Sequence, residues 1–255
     1  MSQSIRFPII HAVTDSAALL RADFLQRAEA IMRALGARGA VHLRTSRLSG
    51  RRFHEVAASL AELQATTGCW LIVNDRVDIG KAVGARGIQL ASHSLGIAEA
   101  RTVAPDTPIG TSVHSVEEAR QAESEGASWC VVGTVFETPS HPGREPARLG
   151  FIEDVTSVLR IPVIAIGGIE PADVPALRKA GAHGIATIRG AGWEGMGNAF
   201  AEDDPLRHTR LFEVPGAGSE ELVTRYISAY DSHAGRSGND YPDGERNSEG
   251  TGAQQ

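Results

Sequence analysis

Eight short apolar runs, each followed by a stretch of helical spacing, constrain this chain more than any other feature. The runs are Phe7–Val13, Gly39–Leu43, Trp70–Val73, Gly87–Leu90, Pro108–Thr111, Ser128–Val132, Pro162–Ile166 and Gly184–Ile188. They are nearly continuously apolar rather than alternating, as expected for strands buried on both faces. The spacing between them predicts helices over Ala17–Leu35, Gly50–Thr66, Arg76–Val83, Leu95–Val103, Ser115–Glu125, Phe151–Leu159 and Pro171–Ala180, with an eighth over Ser219–Tyr230. Eight alternations of strand and helix favour a closed (β/α)8 TIM barrel over an open doubly wound sheet. The length of 255 residues suits one such domain, spanning residues 5–231. Gly36, Gly84, Gly126 and Gly181, each followed by alanine and then a strand, read as helix C-caps, where glycine takes the left-handed conformation cheaply.

Two stretches leave this rhythm. Gly192–Gly218 reads as a long irregular loop between the eighth strand and its helix, and loops of that length usually carry function or move. Residues 232–255 lack apolar periodicity and read as a disordered tail. A net charge of −6, with no block of Lys and Arg, argues against a nucleic-acid partner. Nothing approaches the ~20 apolar residues of a membrane span, and the N-terminal stretch lacks the apolar core of a signal peptide. Cys69 and Cys130 sit in or beside apolar runs far apart in sequence, which fits buried thiols in a reducing compartment. The expectation is a soluble cytoplasmic protein without a membrane partner.

In a parallel barrel the loops after the strands converge at one rim, where chemistry is carried out. His114 lies just after the fifth run, and its imidazole could both take and return a proton near neutral pH. The alternative is a helix start, with Ser112 or Ser115 as cap and Glu118 completing a capping box. Gly167-Gly168 after the seventh run and Arg189-Gly190 after the eighth stand where such barrels commonly hold phosphate through backbone N–H groups. Gly167-Gly168 could also simply turn the chain toward Pro171. Arg44, two residues after His42, could clamp a carboxylate or phosphate, or be a solvated rim arginine. Asn74-Asp75 ends the third run; Asp75 could hold Mg²⁺, but cap chemistry before the next helix is the favoured reading. Thr138 and Ser140 could bond a phosphate or serve only as turn residues. The nine histidines show no metal-ligand spacing, and two cysteines are too few for a thiolate zinc site.

Taken in order, "HAVTD", "VHLRTS", "LIVNDRVDIGKAVGARGIQL", "IGTSVHSVEEA", "VVGTVFETPSHPG", "IPVIAIGGI" and "GIATIRG" resemble the thiamine phosphate synthase/TenI family from about Phe7 to Gly190. The resemblance implies a TIM barrel that binds phosphorylated thiamine precursors at its rim. The synthase branch joins hydroxymethylpyrimidine diphosphate to a thiazole phosphate with Mg²⁺. Where its pattern has Gln-x-Arg-x-Lys, this chain has His42, Arg44 and Ser46; where it has a second metal-binding aspartate, Ser94 stands; and in place of Thr-x-Thr-Lys it has Thr138, Ser140 and His141. Asp75 matches the first metal aspartate. "SVHS", "GTVFET" and the His-x-Arg pair fit the TenI-like branch better. That branch includes thiazole tautomerases, which aromatise a carboxythiazole phosphate tautomer without metal or cofactor. The resemblance then assigns His114 as general acid/base and Gly168 and Gly190 to the phosphate. Arg44, Asn74, Ser112, Thr138, Gly167 and Arg189 are further substrate-binding candidates. The expected partner is the small-molecule thiazole phosphate, with a homo-oligomer compatible with the family. A Mg²⁺-dependent synthase and a non-catalytic thiazole-phosphate-binding barrel are the alternatives.

Overall fold

The computed structural model describes residues 7–91, 94–138, 146–193 and 218–232. Eight parallel strands close in sequence order: β1 Ile10–Val13, β2 Gly39–Leu43, β3 Trp70–Asn74, β4 Gly87–Leu90, β5 Ile109–Val113, β6 Trp129–Gly133, β7 Val163–Ile166 and β8 Gly184–Thr187. The ring is sealed where Ile10 of β1 pairs with Ile185 of β8. Both faces of the strands are covered, which is why the runs show no polar alternation. One apolar layer, including Val41, Leu43, Leu71, Val73, Ile88 and Val132, lies between strands and helices. A smaller cluster of Val13, Ala40, Trp70, Ile72, Trp129, Val131, Ile164 and Ala186 fills the barrel lumen. The two sets alternate along the strands because successive side chains point to opposite faces.

Helices α1 Ser16–Leu19, α2 Phe24–Leu35, α3 Gly50–Thr67, α4 Val77–Ala82, α5 Ile97–Val103, α6 Val116–Ser124, α7 Arg148–Val158, α8 Val174–Lys179 and α9 Ser219–Asp231 surround the strands. The sequence predicted one helix over Ala17–Leu35, and the structure divides it. Asp15 caps a first turn through the N–H of Ala18 at 2.8 Å, and the chain then bends before Phe24. Asp23 sits at the bend, its carboxylate bonded to Arg21 and Arg27 at 2.8 Å each, and those guanidiniums hold its pKa at about 2. The left-handed C-cap reading fits Gly84, Gly126 and Gly181, which follow α4, α6 and the α8 turn with φ of +68°, +89° and +93°; Gly36 caps α2 at φ +52° and ψ −148°, outside the left-handed helical region.

Residues 194–217 of the predicted long loop, the tail beyond Ser232, and Ser140 and His141 lie outside the described residues. Trp193, at the start of that loop, is buried, donates its indole N–H to the carbonyl of Val13 at 2.8 Å and packs against Phe24. Cys69 and Cys130 are both free and buried, as the apolar flanks suggested. Burial pushes the Cys130 thiol up to about 12 and raises Cys69 further, so both stay protonated. Among the described residues no helix is long and apolar enough to cross a membrane.

Candidate active site

The parallel topology brings every candidate residue to the C-terminal end of the barrel. Arg44 and Asn74 follow or end β2 and β3. Ser112 and His114 come from β5, Thr138 from the segment after β6, Gly167-Gly168 from the end of β7, and Arg189-Gly190 from the end of β8. His114 stands one residue beyond β5, and its side chain is 32 % exposed. The helix-start reading is the one the hydrogen bonds show. Ser115 caps α6 by accepting the N–H of Glu118 at 3.0 Å, and Glu118 reaches back to the backbone N–H of His114 at 2.7 Å. The cap therefore uses the backbone of His114 and leaves the imidazole at the rim, with Nδ1 3.4 Å from the Glu118 carboxylate.

Arg44 is exposed, and its backbone is fixed from β1. Thr14 accepts the Arg44 N–H at 2.9 Å and donates its hydroxyl to the Arg44 carbonyl at 3.1 Å. The cap assignment for Asp75 is corrected. Arg76 occupies the N-cap position of α4 without a side-chain cap bond, and Asp75 turns the chain at φ +62° instead. Its Oδ1 accepts the N–H of Ala91 at 3.0 Å and the hydroxyl of Ser94, tying the end of β3 to the loop after β4. The competing demand comes from the Ala91 N–H and the Ser94 hydroxyl after β4, which take the carboxylate instead. Among the described residues no three His, Cys, Asp or Glu side chains gather as a metal site.

Gly167 and Gly168 have φ of +110° and +64° and lie close under the segment that follows β6. A Cβ at Gly167 would run into Thr134, and one at Gly168 would come within 2.9 Å of Phe136 Cβ. That segment runs on beside the end of β7, with the N–H of Phe136 bonded to the Gly167 carbonyl at 3.0 Å, and it carries half-buried Thr138. At the end of β8 the Gly190 N–H is bonded to Thr187 Oγ1 at 3.1 Å, while Arg189 is exposed. The glycines thus have a packing reason as well as a place at the expected phosphate corner.

Below the rim, the lumen links residues the sequence reading named to His11, Gln89 and Trp129, which it passed over. His11 Nε2 lies 3.1 Å from the Pro8 carbonyl, His11 Nδ1 lies 2.8 Å from His42 Nε2, and His42 Nδ1 lies 3.2 Å from Asn74 Oδ1. Both imidazoles are buried. Burial is the main reason that His42 falls to about 4, and burial with the neighbouring His42 holds His11 well below the ordinary histidine value. A second line runs from the Trp129 indole N–H to Gln89 Oε1 at 2.8 Å, and from Gln89 Nε2 to Ser112 Oγ at 3.3 Å. The signal that could have revealed them is positional. His11 and Gln89 are polar residues inside otherwise apolar strands, where burial demands partners.

The family model for thiamine monophosphate synthase matches residues 10–191, which is most of the barrel. A thiamine-phosphate synthase of Caldanaerobacter subterraneus is 33 % identical over 209 residues, covering 81 % of this chain and 96 % of that protein. One from Gloeobacter violaceus is 36 % identical over 173 residues, or 68 % of this chain, but this chain spans only 48 % of its length. Among solved structures, thiamine phosphate pyrophosphorylase from Pyrococcus furiosus superposes with a TM-score of 0.71 at 26 % identity, covering 89 % of this chain and 97 % of that one.

Proposed function

Since the chain belongs to the thiamine monophosphate synthase/TenI family, we propose that it is the tautomerase of that family. It would aromatise a carboxythiazole phosphate whose ethyl side chain begins as an exocyclic double bond. The observation that carries this reading is His114: an imidazole on a backbone locked by Ser115 and Glu118, at the end of the barrel that also carries the candidates suited to an anionic ligand. The reaction needs one proton moved. The C–H bond at the ring carbon bearing the carboxylate breaks, and its electron pair becomes a ring double bond. The exocyclic double bond then takes up a proton at its outer carbon. His114 accepts the first proton and returns it, while Glu118 steadies the transient imidazolium. Arg44 supplies positive charge at the rim for the anionic substrate, and the loops after β7 and β8 hold the phosphate.

The names of the relatives favour a second reading, the synthase itself. Its Mg²⁺ would have to be held by Asp75, the residue matching the first metal aspartate. The donor set does not fit. Asp75 Oδ1 is engaged by Ala91 and Ser94, and Ser94 offers a hydroxyl where the synthase pattern has a carboxylate.

The two readings separate in one set of assays. Aromatisation is followed by ultraviolet absorbance with EDTA present, for wild type and His114→Ala, and thiamine phosphate formation is followed with Mg²⁺ and both precursors. The tautomerase reading expects metal-independent turnover that falls about 10²–10⁴-fold in the variant. Thiamine phosphate formation without tautomerase activity would establish the synthase. Tight thiazole phosphate binding without turnover in either assay would leave a binding barrel.

A further inference from the structure

The two polar lines in the lumen have a direction, and it can be read from the groups at their lower ends. The Pro8 carbonyl can only accept, so His11 Nε2, 3.1 Å away, carries the proton and donates. Buried without a counter-charge, His11 is neutral, so its Nδ1 accepts. His42 Nε2, 2.8 Å from it, must therefore donate. His42 is buried and neutral in turn, which leaves its Nδ1 as an acceptor facing the Asn74 amide at 3.2 Å. Two acceptors cannot share that contact. The Asn74 amide satisfies it by turning its NH2 toward His42, an exchange of O and N that leaves the contact length unchanged. The other line starts from an indole N–H, which can only donate, so Gln89 Oε1 accepts and Gln89 Nε2 donates. That amide serves the Leu90 carbonyl at 3.2 Å and Ser112 Oγ at 3.3 Å, so Ser112 is the acceptor of this bond and keeps its own proton for another partner.

We propose that these two columns set the polarity of the rim, so that Asn74 meets a ligand with its carbonyl oxygen as an acceptor and Ser112 meets it with its hydroxyl as a donor. Asn74 and Ser112 are half-buried, with their columns beneath them and the rim above. A ligand seated there must offer a hydrogen to Asn74 and a lone pair to Ser112. An anionic group is turned away from the Asn74 oxygen and toward the Ser112 hydroxyl. His11, His42, Gln89 and Trp129 are positioning residues in this scheme, because they act through the two residues above them. Resting on the tautomerase reading, the substrate carboxylate is the group that falls to Ser112.

The experiment is nitrogen-15 NMR of the uniformly labelled full chain at neutral pH, recording couplings across N–H···N hydrogen bonds. Two correlations are expected: His42 Nε2 to His11 Nδ1, and Asn74 Nδ2 to His42 Nδ1. A proton on His42 Nδ1, or an Asn74 amide uncoupled from His42, would overturn the histidine column. In Asn74→Asp the introduced carboxylate cannot donate, so His42 is expected to become protonated at Nδ1 and to titrate at a higher pH than in wild type. An unchanged tautomer would again overturn the assignment. For the second column, Ser112→Ala is expected to weaken binding of carboxythiazole phosphate about tenfold, while leaving the decarboxylated thiazole phosphate unchanged. Equal losses for both compounds would remove the donor role of Ser112. If wild type binds neither compound, the functional reading fails and the donor role of Ser112 falls with it, while the couplings still decide the histidine column.

Discussion

His11 and His42 make the lumen of this barrel sensitive to acid. Both are held neutral in the folded protein, His42 with a pKa of about 4 and His11 well below its ordinary value, chiefly by burial. The unfolded chain takes up protons on both near 6.5. Below that pH the unfolded state binds more protons, so stability falls as pH drops from about 6.5 toward 4, by at most about 1.4 kcal/mol per pH unit for each histidine. His183, lowered by burial and packed against Phe7, acts in the same direction, while Arg44 above His42 adds positive potential. Urea unfolding at pH 7 and pH 5 should show a lower midpoint at pH 5, and the double variant His11→Leu/His42→Leu should show a shallower dependence. Equal slopes in the two proteins would mean that the acid sensitivity comes from other groups. Asp75 teaches a related point at the same scale. Its place before a helix suggested a cap, yet its carboxylate serves backbone and hydroxyl groups of a neighbouring loop.

Among the elements, β4, β5 and β6 are fitted to one another through a single indole. Trp129 is fully buried in the lumen, and a Cβ at Gly110 would overlap its ring, while one at Gly87 would meet Trp129 Cη2 at 3.0 Å. The glycines of β4 and β5 are therefore the hollow that Trp129 of β6 fills, which lets its N–H reach Gln89. Gly110→Ala is expected to destabilise by about 1–3 kcal/mol through overpacking. Adding Trp129→Phe should recover part of that loss, since the smaller ring leaves room for the methyl. A thermal double-mutant cycle checks this, and additive losses would show that the two sites are not in contact. The split between α1 and α2 is also decided between elements. Helical periodicity runs on through residues 20–23, but the first turn closes at Leu20 and the pairing of Asp23 with Arg21 and Arg27 holds the bend, which periodicity alone does not register.

For the whole molecule, α9 closes the ring and braces the corner assigned to phosphate. Its Tyr226 hydroxyl donates to the carbonyl of Ile169, next to Gly167-Gly168, at 2.9 Å, and Ser219 donates to the Gly192 carbonyl beyond Arg189-Gly190 at 2.8 Å. Arg178 of α8 bonds the Tyr230 carbonyl at 2.7 Å and lies over its ring, which ties α8 to the last helix. Tyr226→Phe should cost about 1 kcal/mol of stability, with a raised KM for a phosphorylated ligand and little change in kcat. Unaltered KM would separate α9 from the phosphate corner. The order of strands, the placing of His114, Arg44 and the glycine pairs at strand ends, and the free buried cysteines follow from the sequence by itself. Apolar runs, helical spacing and glycine after helices are local signals, and parallel β/α alternation converts them into a rim. The pairing of His11 with His42 across 31 residues, the link from Trp129 to Gln89 across 40, and the capture of Asp75 by Ser94 were decided only by tertiary structure. Barrel register chooses which lumen-facing side chains meet, and a polar group cut off from water must take whichever partner that register supplies.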